Sequence, residues 1–146
     1  MPELPEVETI RRTLGPRVVG RKVVAVDVRR RDLRRPVAQS FELSLCGRVI
    51  VGAERRAKYL LLRLDDGLAW IVHLGMSGRL LHLTADAPDD GALHEHLVVM
   101  LDDGTRVVYR DPRRFGSMEI ADPLDSPVLA AIGPEPLDAG GQVGEE

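Results

Sequence analysis

Proline at position 2 is the first residue able to do chemistry, and MPELPEVETI sets Glu3, Glu6 and Glu8 close behind it. Removal of Met1, which a small second residue permits, exposes a secondary amine with a pKa of roughly 7.7–8.0. Much of that amine is nucleophilic near neutral pH. An amine of this kind attacks a sugar C1′, displaces the base and passes directly to an iminium, the Schiff-base form of covalent catalysis. Glu3, adjacent in the chain, is suited to shuttle protons at the opened sugar. With Met1 retained, the Pro2 nitrogen is an amide and this route is closed. The same two residues also suit an ordinary helix start.

Lys58 in ERRAKYLLL and Lys22 are the only two lysines in a chain that otherwise uses arginine. Lysine can give and take a proton where arginine only carries charge; a solvated lysine at a strand edge is the competing reading. Two further segments, HLGMSGRL and DPRRFG, set Met76 and Phe115 in glycine-flanked turns. Apolar tips beside arginines are suited to wedge between stacked bases, and Arg113 or Arg114 to contact phosphate or read a base. Buried turn packing would explain either segment equally well. His94-Glu95-His96 has the alternation of two ligands on one strand face, but no third ligand is evident. A phosphate-contacting imidazole is the better reading. His73 and His82 fall in strand patterns as satisfied residues near the core, and Cys46 reads as a small hydrophobe.

Elements must hold these residues in place. In 146 residues with 44% apolar content the chain can bury one substantial core. It has no apolar run of the roughly 18 residues that a membrane helix needs, and its acidic start excludes a signal peptide. A soluble, intracellular protein is expected. The single cysteine excludes an internal disulfide and a cysteine-based zinc site within this chain. Net charge is −3, yet residues 1–63 carry 15 Lys+Arg against 7 Asp+Glu, and residues 64–146 carry 5 against 16. That split permits one basic face able to track phosphates; ordinary solvated charge is the simpler account.

Pro5, the glutamates, and Val7, Ile10 and Leu14 at helical spacing predict a helix from about Pro5 to Leu14, ended by Gly15-Pro16. Val24, Val26 and Val28 alternate as a strand, and a short helix after Pro36 would group Val37, Phe41 and Leu45. From Arg48 onward seven strand patterns follow, with turn signals at Asp66-Gly67 and Asp103-Gly104. The expected fold is mainly β, a two-layer antiparallel sandwich or flattened barrel of about eight strands, with an N-terminal helix and helices at its ends. TADAPDDGALHEH reads as a polar loop and the Pro- and Gly-rich C-terminal stretch as a linker.

Taken together, MPELPEVE, RRAKYLLL, HLGMSG, HEH and DPRRFG, in this order, resemble the N-terminal domain of the formamidopyrimidine-DNA glycosylases. The resemblance runs over residues 1–138, the expected catalytic domain. GPEPLD is similar to that family's inter-domain junction, so residues 139–146 would be a linker toward helix-two-turns-helix and zinc-finger domains absent from this chain.

The resemblance implies a DNA glycosylase for oxidised purines such as 8-oxoguanine and formamidopyrimidines, with abasic-site lyase activity by β,δ-elimination. Pro2 would be the nucleophile, Glu3 the proton donor, and Lys58 the lysine assigned to β-elimination and phosphate contact. Glu6 would lie in the lesion pocket. Met76, Arg113 and Phe115 would fill the void left by the flipped base, with Arg113 facing the widowed cytosine; His94 would contact DNA. The implied partner is double-stranded DNA bearing an oxidised purine or abasic site, met by a monomer in the bacterial cytoplasm. No cofactor or metal is expected in this chain, and one structural zinc in the absent finger. Arg35 stands where some relatives carry tryptophan. Two other readings stay open: a non-catalytic DNA-binding or interaction module, and an endonuclease VIII-like enzyme for oxidised pyrimidines.

Overall fold

The computed structural model describes residues 4–87, 95–126 and 129–130. Pro2, Glu3 and His94, with the linker expected over 139–146, lie outside the described residues. The elements run α1 (Leu4–Val18), β1 (Val23–Val28), α2 (Phe41–Leu45), β2 (Ile50–Arg56), β3 (Tyr59–Leu64), β4 (Ala69–His73), β5 (Arg79–Leu83), β6 (Glu95–Leu101), β7 (Arg106–Arg110) and β8 (Ser117–Ala121). The strands form two antiparallel four-stranded sheets, ordered β1-β6-β7-β5 and β2-β3-β4-β8. The expected two-layer sandwich of eight strands is what the described residues adopt.

Alternating apolar side chains fill the space between the sheets. Leu60, Leu62, Leu64, Trp70 and Val72 face Leu97, Val99, Leu101, Val107 and Tyr109 in one buried cluster. Each strand contributes every second residue because successive side chains point to opposite sides. Helix α1 packs on β2, β3 and β5, and α2 on β1 and β8. The two helices therefore close opposite open sides of the sandwich, where the edge strands of both sheets would otherwise leave apolar side chains in water. Phe41 of α2 meets Trp70 edge to face, with ring centroids 6.2 Å apart, and Val37, Phe41 and Leu45 are buried together as their spacing predicts.

Three expectations are corrected. Helix α1 does not stop at Gly15-Pro16 but continues to Val18. Gly15 is buried against β2, where a Cβ would lie 3.0 Å from Ala53 Cβ, so it serves close packing rather than termination. A mid-helix proline costs roughly 3 kcal/mol, and burial of Leu14 and Val18 offsets this at roughly 1.5–3 kcal/mol each. The helix ends instead at Gly20, whose φ of 90° turns the chain and whose N–H donates to the Ile50 carbonyl at 2.7 Å. In β1 a bulge between Val23 and Ala25 shifts the register against β6, leaving Val24 exposed while Val23 is buried. Finally, Glu95 and His96 belong to β6 and are buried, not part of a polar loop.

Register sends each connection to a definite end. Tyr59 and Ser117 both pair with His73, while Arg79 and Glu95 both pair with Arg110. One end of the sandwich therefore carries the β2–β3 hairpin, the β4–β5 turn, the β7–β8 loop and the chain leaving β1. The opposite end carries the β3–β4 and β6–β7 turns. That far end holds Asp65, Asp66, Asp102 and Asp103, and the near end holds Arg29, Arg30, Arg34, Arg35, Arg56, Lys58, Arg110, Arg113 and Arg114. At the far end Arg21 pairs with Asp102 and Arg48 with Asp65 and Asp66, so the excess of positive charge lies at the near end.

Candidate functional site

Four predicted site residues arrive at the near end through three connections. Lys58 occupies the two-residue turn between β2 and β3, preceded by Ala57 at φ 52°. A non-glycine residue held at positive φ is a strained position that its surroundings must support; here Arg55 donates to the Ala57 carbonyl at 3.0 Å. Met76 sits in the turn from β4 to β5, 52% exposed, and Phe115 sits in the loop from β7 to β8, 45% exposed. Neither is turn packing. Arg113 is exposed on the same loop, and its side chain makes no ion pair among the described residues.

The loops that carry these tips meet at their bases. Gly75, at φ 65°, lies so close to the other loop that a Cβ there would be 2.7 Å from the Phe115 carbonyl carbon. Beneath them is Asp111, fully buried. Its Oδ1 accepts from Ser77 Oγ at 2.7 Å, and its Oδ2 accepts from Tyr109 Oη at 2.5 Å and from Gly116 N–H at 2.9 Å. Burial works to raise the Asp111 pKa, but hydrogen bonds from Tyr109, Ser77 and backbone N–H groups outweigh it and hold the carboxyl below its ordinary value. Burial, and then the Asp111 hydrogen bond and charge, push the Tyr109 hydroxyl well above the usual phenol range.

Glu6 joins Met76 across an open groove of about 540 Å³, lined by Glu6, Thr9 and Ile10 of α1 and by Leu74, Met76 and Ser77 of the turn. A helix residue and a turn residue about 70 positions apart in the chain thus share one concavity. Glu8, one helical position pair further along, points elsewhere. It accepts from Arg11 at 3.0 Å, Arg12 at 3.1 Å and Arg55 of β2 at 3.3 Å. The Arg11 hydrogen bond is the main cause of its pKa falling to about 2, and the cluster ties the groove-lining helix to the sheet.

A second concavity of about 410 Å³ is lined by Asp32, Arg34, Arg113, Arg114 and Phe115. Asp32 pairs with Arg30 at 2.6 Å and with Arg114, Arg31 pairs with Glu42, and buried Glu95 accepts from Arg29 and Arg110 at 3.2 and 2.6 Å. Arg34, like Arg113, has no side-chain ion pair among the described residues, and its N–H donates to the Gly116 carbonyl at 3.2 Å. The arginine-rich segment after β1 is thereby fastened to the Phe115 loop. His73, at the end of β4, has its pKa lowered by burial first and then by the charges of Arg34 and Lys58.

Sequence reasoning identified the tips and missed what holds them. Asp111 and Ser77 lie inside quoted motifs and Arg34 beside Arg35, and Asp111-Pro112 carries an ordinary turn-initiation signal. The HEH motif divides. His96 is buried, and its Nε2 donates to the Asp111 carbonyl at 2.7 Å. Glu95 serves the arginines, and His94 is outside the described residues. No group of three or more His, Cys, Asp or Glu is arranged to hold a metal among the described residues. His82 bonds Thr105 at 2.9 Å near the far end. Cys46 is exposed rather than packed as a hydrophobe.

The fold and the site define a helix-flanked β-sandwich domain with one basic end that presents two apolar tips and a lysine. The family model for the formamidopyrimidine-DNA glycosylase N-terminal domain matches residues 1–118, and the chain belongs to the formamidopyrimidine-DNA glycosylase family. It is 51% identical to the formamidopyrimidine-DNA glycosylase of Stutzerimonas stutzeri, covering 94% of this chain and 50% of that one. It is 49% identical to that of Methylocella silvestris, covering 94% and 51%. Among solved structures, Lactococcus lactis Fpg bound to abasic-site DNA superposes with a TM-score of 0.73 at 35% identity, over 84% of this chain and 45% of that chain. MutM with carbocyclic 8-oxo-G DNA gives 0.76 at 35% over 89% and 48%. The same Lactococcus lactis enzyme with oxidised-pyrimidine DNA gives 0.76 at 34% over 90% and 47%. The chain spans about half the length of the relatives it matches. No helix among the described residues is long and apolar enough to cross a membrane.

Proposed function

We propose that this chain is the catalytic half of a bifunctional DNA glycosylase and abasic-site lyase acting on oxidised purines in double-stranded DNA. The observation that carries the reading is the convergence of Lys58, Met76, Arg113 and Phe115 on one basic end of the sandwich, beside a groove lined by Glu6 of the helix that follows Pro2. In support, relatives in this family are named formamidopyrimidine-DNA glycosylases, and the solved structures of Lactococcus lactis Fpg and of MutM hold abasic-site and carbocyclic 8-oxo-G DNA.

The anomeric carbon of a stacked nucleotide is out of reach, so the lesion is extruded at a cost of a few kcal/mol. Met76 and Phe115 fill the vacated space and Arg113 faces the orphaned base, offsetting that cost. The freed Pro2 amine attacks C1′; its lone pair forms the new C–N bond as the glycosidic bond breaks toward the base, and the proton shed by the alkylated nitrogen neutralises the departing base. Loss of the ring oxygen from C1′, with a proton supplied by Glu3, gives the iminium. The iminium acidifies C2′, and Lys58 is the lysine suited to the proton transfers of β-elimination, which δ-elimination follows to cut the strand twice. The remaining half of the DNA cleft, and the structural zinc that the family implies, would be supplied by residues outside this chain. The setting proposed for this activity is the bacterial cytoplasm, with the protein acting as a monomer.

Borohydride reduction tests the covalent step. Protein with Met1 removed should be trapped on DNA containing 8-oxoguanine or an abasic site, and chemical blocking of the N-terminal amine should abolish trapping. Undiminished trapping after blocking would remove Pro2 from the mechanism. A second reading, a DNA-binding module without catalysis, predicts salt-sensitive duplex binding and no trapping with a free terminus. Because one structural relative holds oxidised-pyrimidine DNA, base release from paired purine and pyrimidine lesions decides the substrate class.

A further inference from the structure

We propose that Asp111 is a positioning residue that joins the Met76 turn and the Arg113–Phe115 loop into one rigid wedge, so that both apolar tips meet DNA already spaced. The inference rests on the DNA reading above and goes beyond it, because Asp111 is too deeply buried to touch DNA itself.

Three donors converge on its two carboxylate oxygens, and they come from different segments. Ser77 belongs to the Met76 turn, Gly116 to the Phe115 loop and Tyr109 to the strand beneath. The Asp111 backbone carbonyl accepts from Arg114 N–H at 3.2 Å and from His96 at 2.7 Å. Ser77 Oγ also accepts from Arg113 N–H at 3.4 Å. Every backbone or side-chain group in this set either emerges beside a tip or is fixed to the core. The glycines complete the joint. A Cβ on Gly75 would strike Phe115, and one on Gly116 would lie 2.0 Å from Tyr109 Oη.

A buried carboxylate is a costly way to fill space, and packing alone would be better served by an apolar residue. Its donors explain it here: an acceptor with two oxygens can bind both loops and the core at once, and a fully satisfied buried network confers rigidity. The wedge then enters the stack without first ordering its own loops, which lowers the entropic cost of binding. Arg114, at φ 56°, is a strained position of the kind such a network can sustain.

The test uses Ser77→Ala, Ser77→Thr, Asp111→Asn and Asp111→Ala in the full chain, with binding measured to a duplex bearing a tetrahydrofuran abasic analogue and to the same duplex unmodified. Preference for the abasic duplex should fall about tenfold in the Asp111 variants and less in Ser77→Ala, and Ser77→Thr should restore it. Without DNA, amide exchange in Ser77→Ala should accelerate at Phe115 and Gly116, across the joint, as well as at Met76. Preference retained by folded variants, equal losses on both duplexes, or exchange confined to residues 75–78 would each overturn the proposal. A wild-type chain without abasic preference would overturn the functional reading instead, and exchange alone would then decide the joint. Ser77→Ala removes a single hydroxyl, so the question stays open to measurement even if the Asp111 variants do not fold.

Discussion

Gly75 and Phe115, forty positions apart in the chain, lie backbone against backbone, with room for a hydrogen at the Gly75 Cα and for nothing larger. Any side chain at 75 would meet the Phe115 carbonyl carbon at 2.7 Å while holding a φ of 65°. Gly75→Ala should therefore destabilise the protein by about 2 kcal/mol or more, since left-handed strain and a clash with backbone add together. Urea unfolding measures the loss. An unchanged midpoint would mean that the two loops are not in contact.

Glu8 should make stability depend on acid. Its pKa falls from 4.5 to about 2 in the folded chain. A depressed carboxyl pKa contributes stability that is complete above the unfolded value and is lost as pH drops from about 4.5 toward 2. Glu8→Gln should thus lower stability near pH 7 by about 1–2 kcal/mol, and the gap to the parent chain should narrow at pH 3. Paired thermal melts at the two pH values give the answer; a gap that is constant or widens in acid contradicts it.

The strained turn before Lys58 offers a separation of stability from function. Ala57→Gly relieves the cost of φ 52° in the folded state but adds freedom to the unfolded chain, so stability should change by less than about 1 kcal/mol. If the rigid turn aims Lys58, strand cleavage should nevertheless slow. Lys58→Arg keeps the charge and gives up the readily exchanged proton; strand cleavage should fall roughly 10²-fold with duplex affinity largely preserved. Gel assays that resolve base release from strand scission distinguish the two effects.

His73 reports on the charges gathered at this end. Its imidazole should titrate below the usual value of about 6.5, because burial, Arg34 and Lys58 all disfavour the proton. Lys58→Gln and Arg34→Gln should each raise the midpoint, and burial should keep it below 6.5 in both. NMR titration of the ring carbons follows this directly. A midpoint insensitive to both substitutions would separate His73 from the cationic end.

Much of this was legible in the chain. Seven strand patterns from Arg48 onward and the valines of β1 became eight strands because period-two alternation leaves little choice when one face must be buried. The turns at Asp66-Gly67 and Asp103-Gly104 followed from glycines whose φ values are 88° and 86°. Elsewhere local signals lost to packing. Gly15-Pro16 looked like a stop, and contact of Gly15 with Ala53 together with burial of Val18 carried the helix past it. HEH read as a polar segment, yet Glu95 and His96 turned inward because two arginines and a backbone carbonyl were there to meet them. Asp111 was hidden for the same reason: an aspartate before proline resembles any turn, and its three donors come from residues 77, 109 and 116.

By itself, the sequence determined which side chains are suited to the chemistry: a proline able to become an amine, one of two lysines in an arginine-rich chain, and two apolar residues flanked by glycine. Residue type and near-neighbour spacing are local properties, and they survive in any conformation. Only the tertiary structure decided that Lys58, Met76, Arg113 and Phe115 share one end, that Glu6 faces Met76, and that one buried carboxylate joins two loops. Those outcomes depend on strand register, which the pairing of His73 with both Tyr59 and Ser117 establishes between segments too distant for any local pattern to relate.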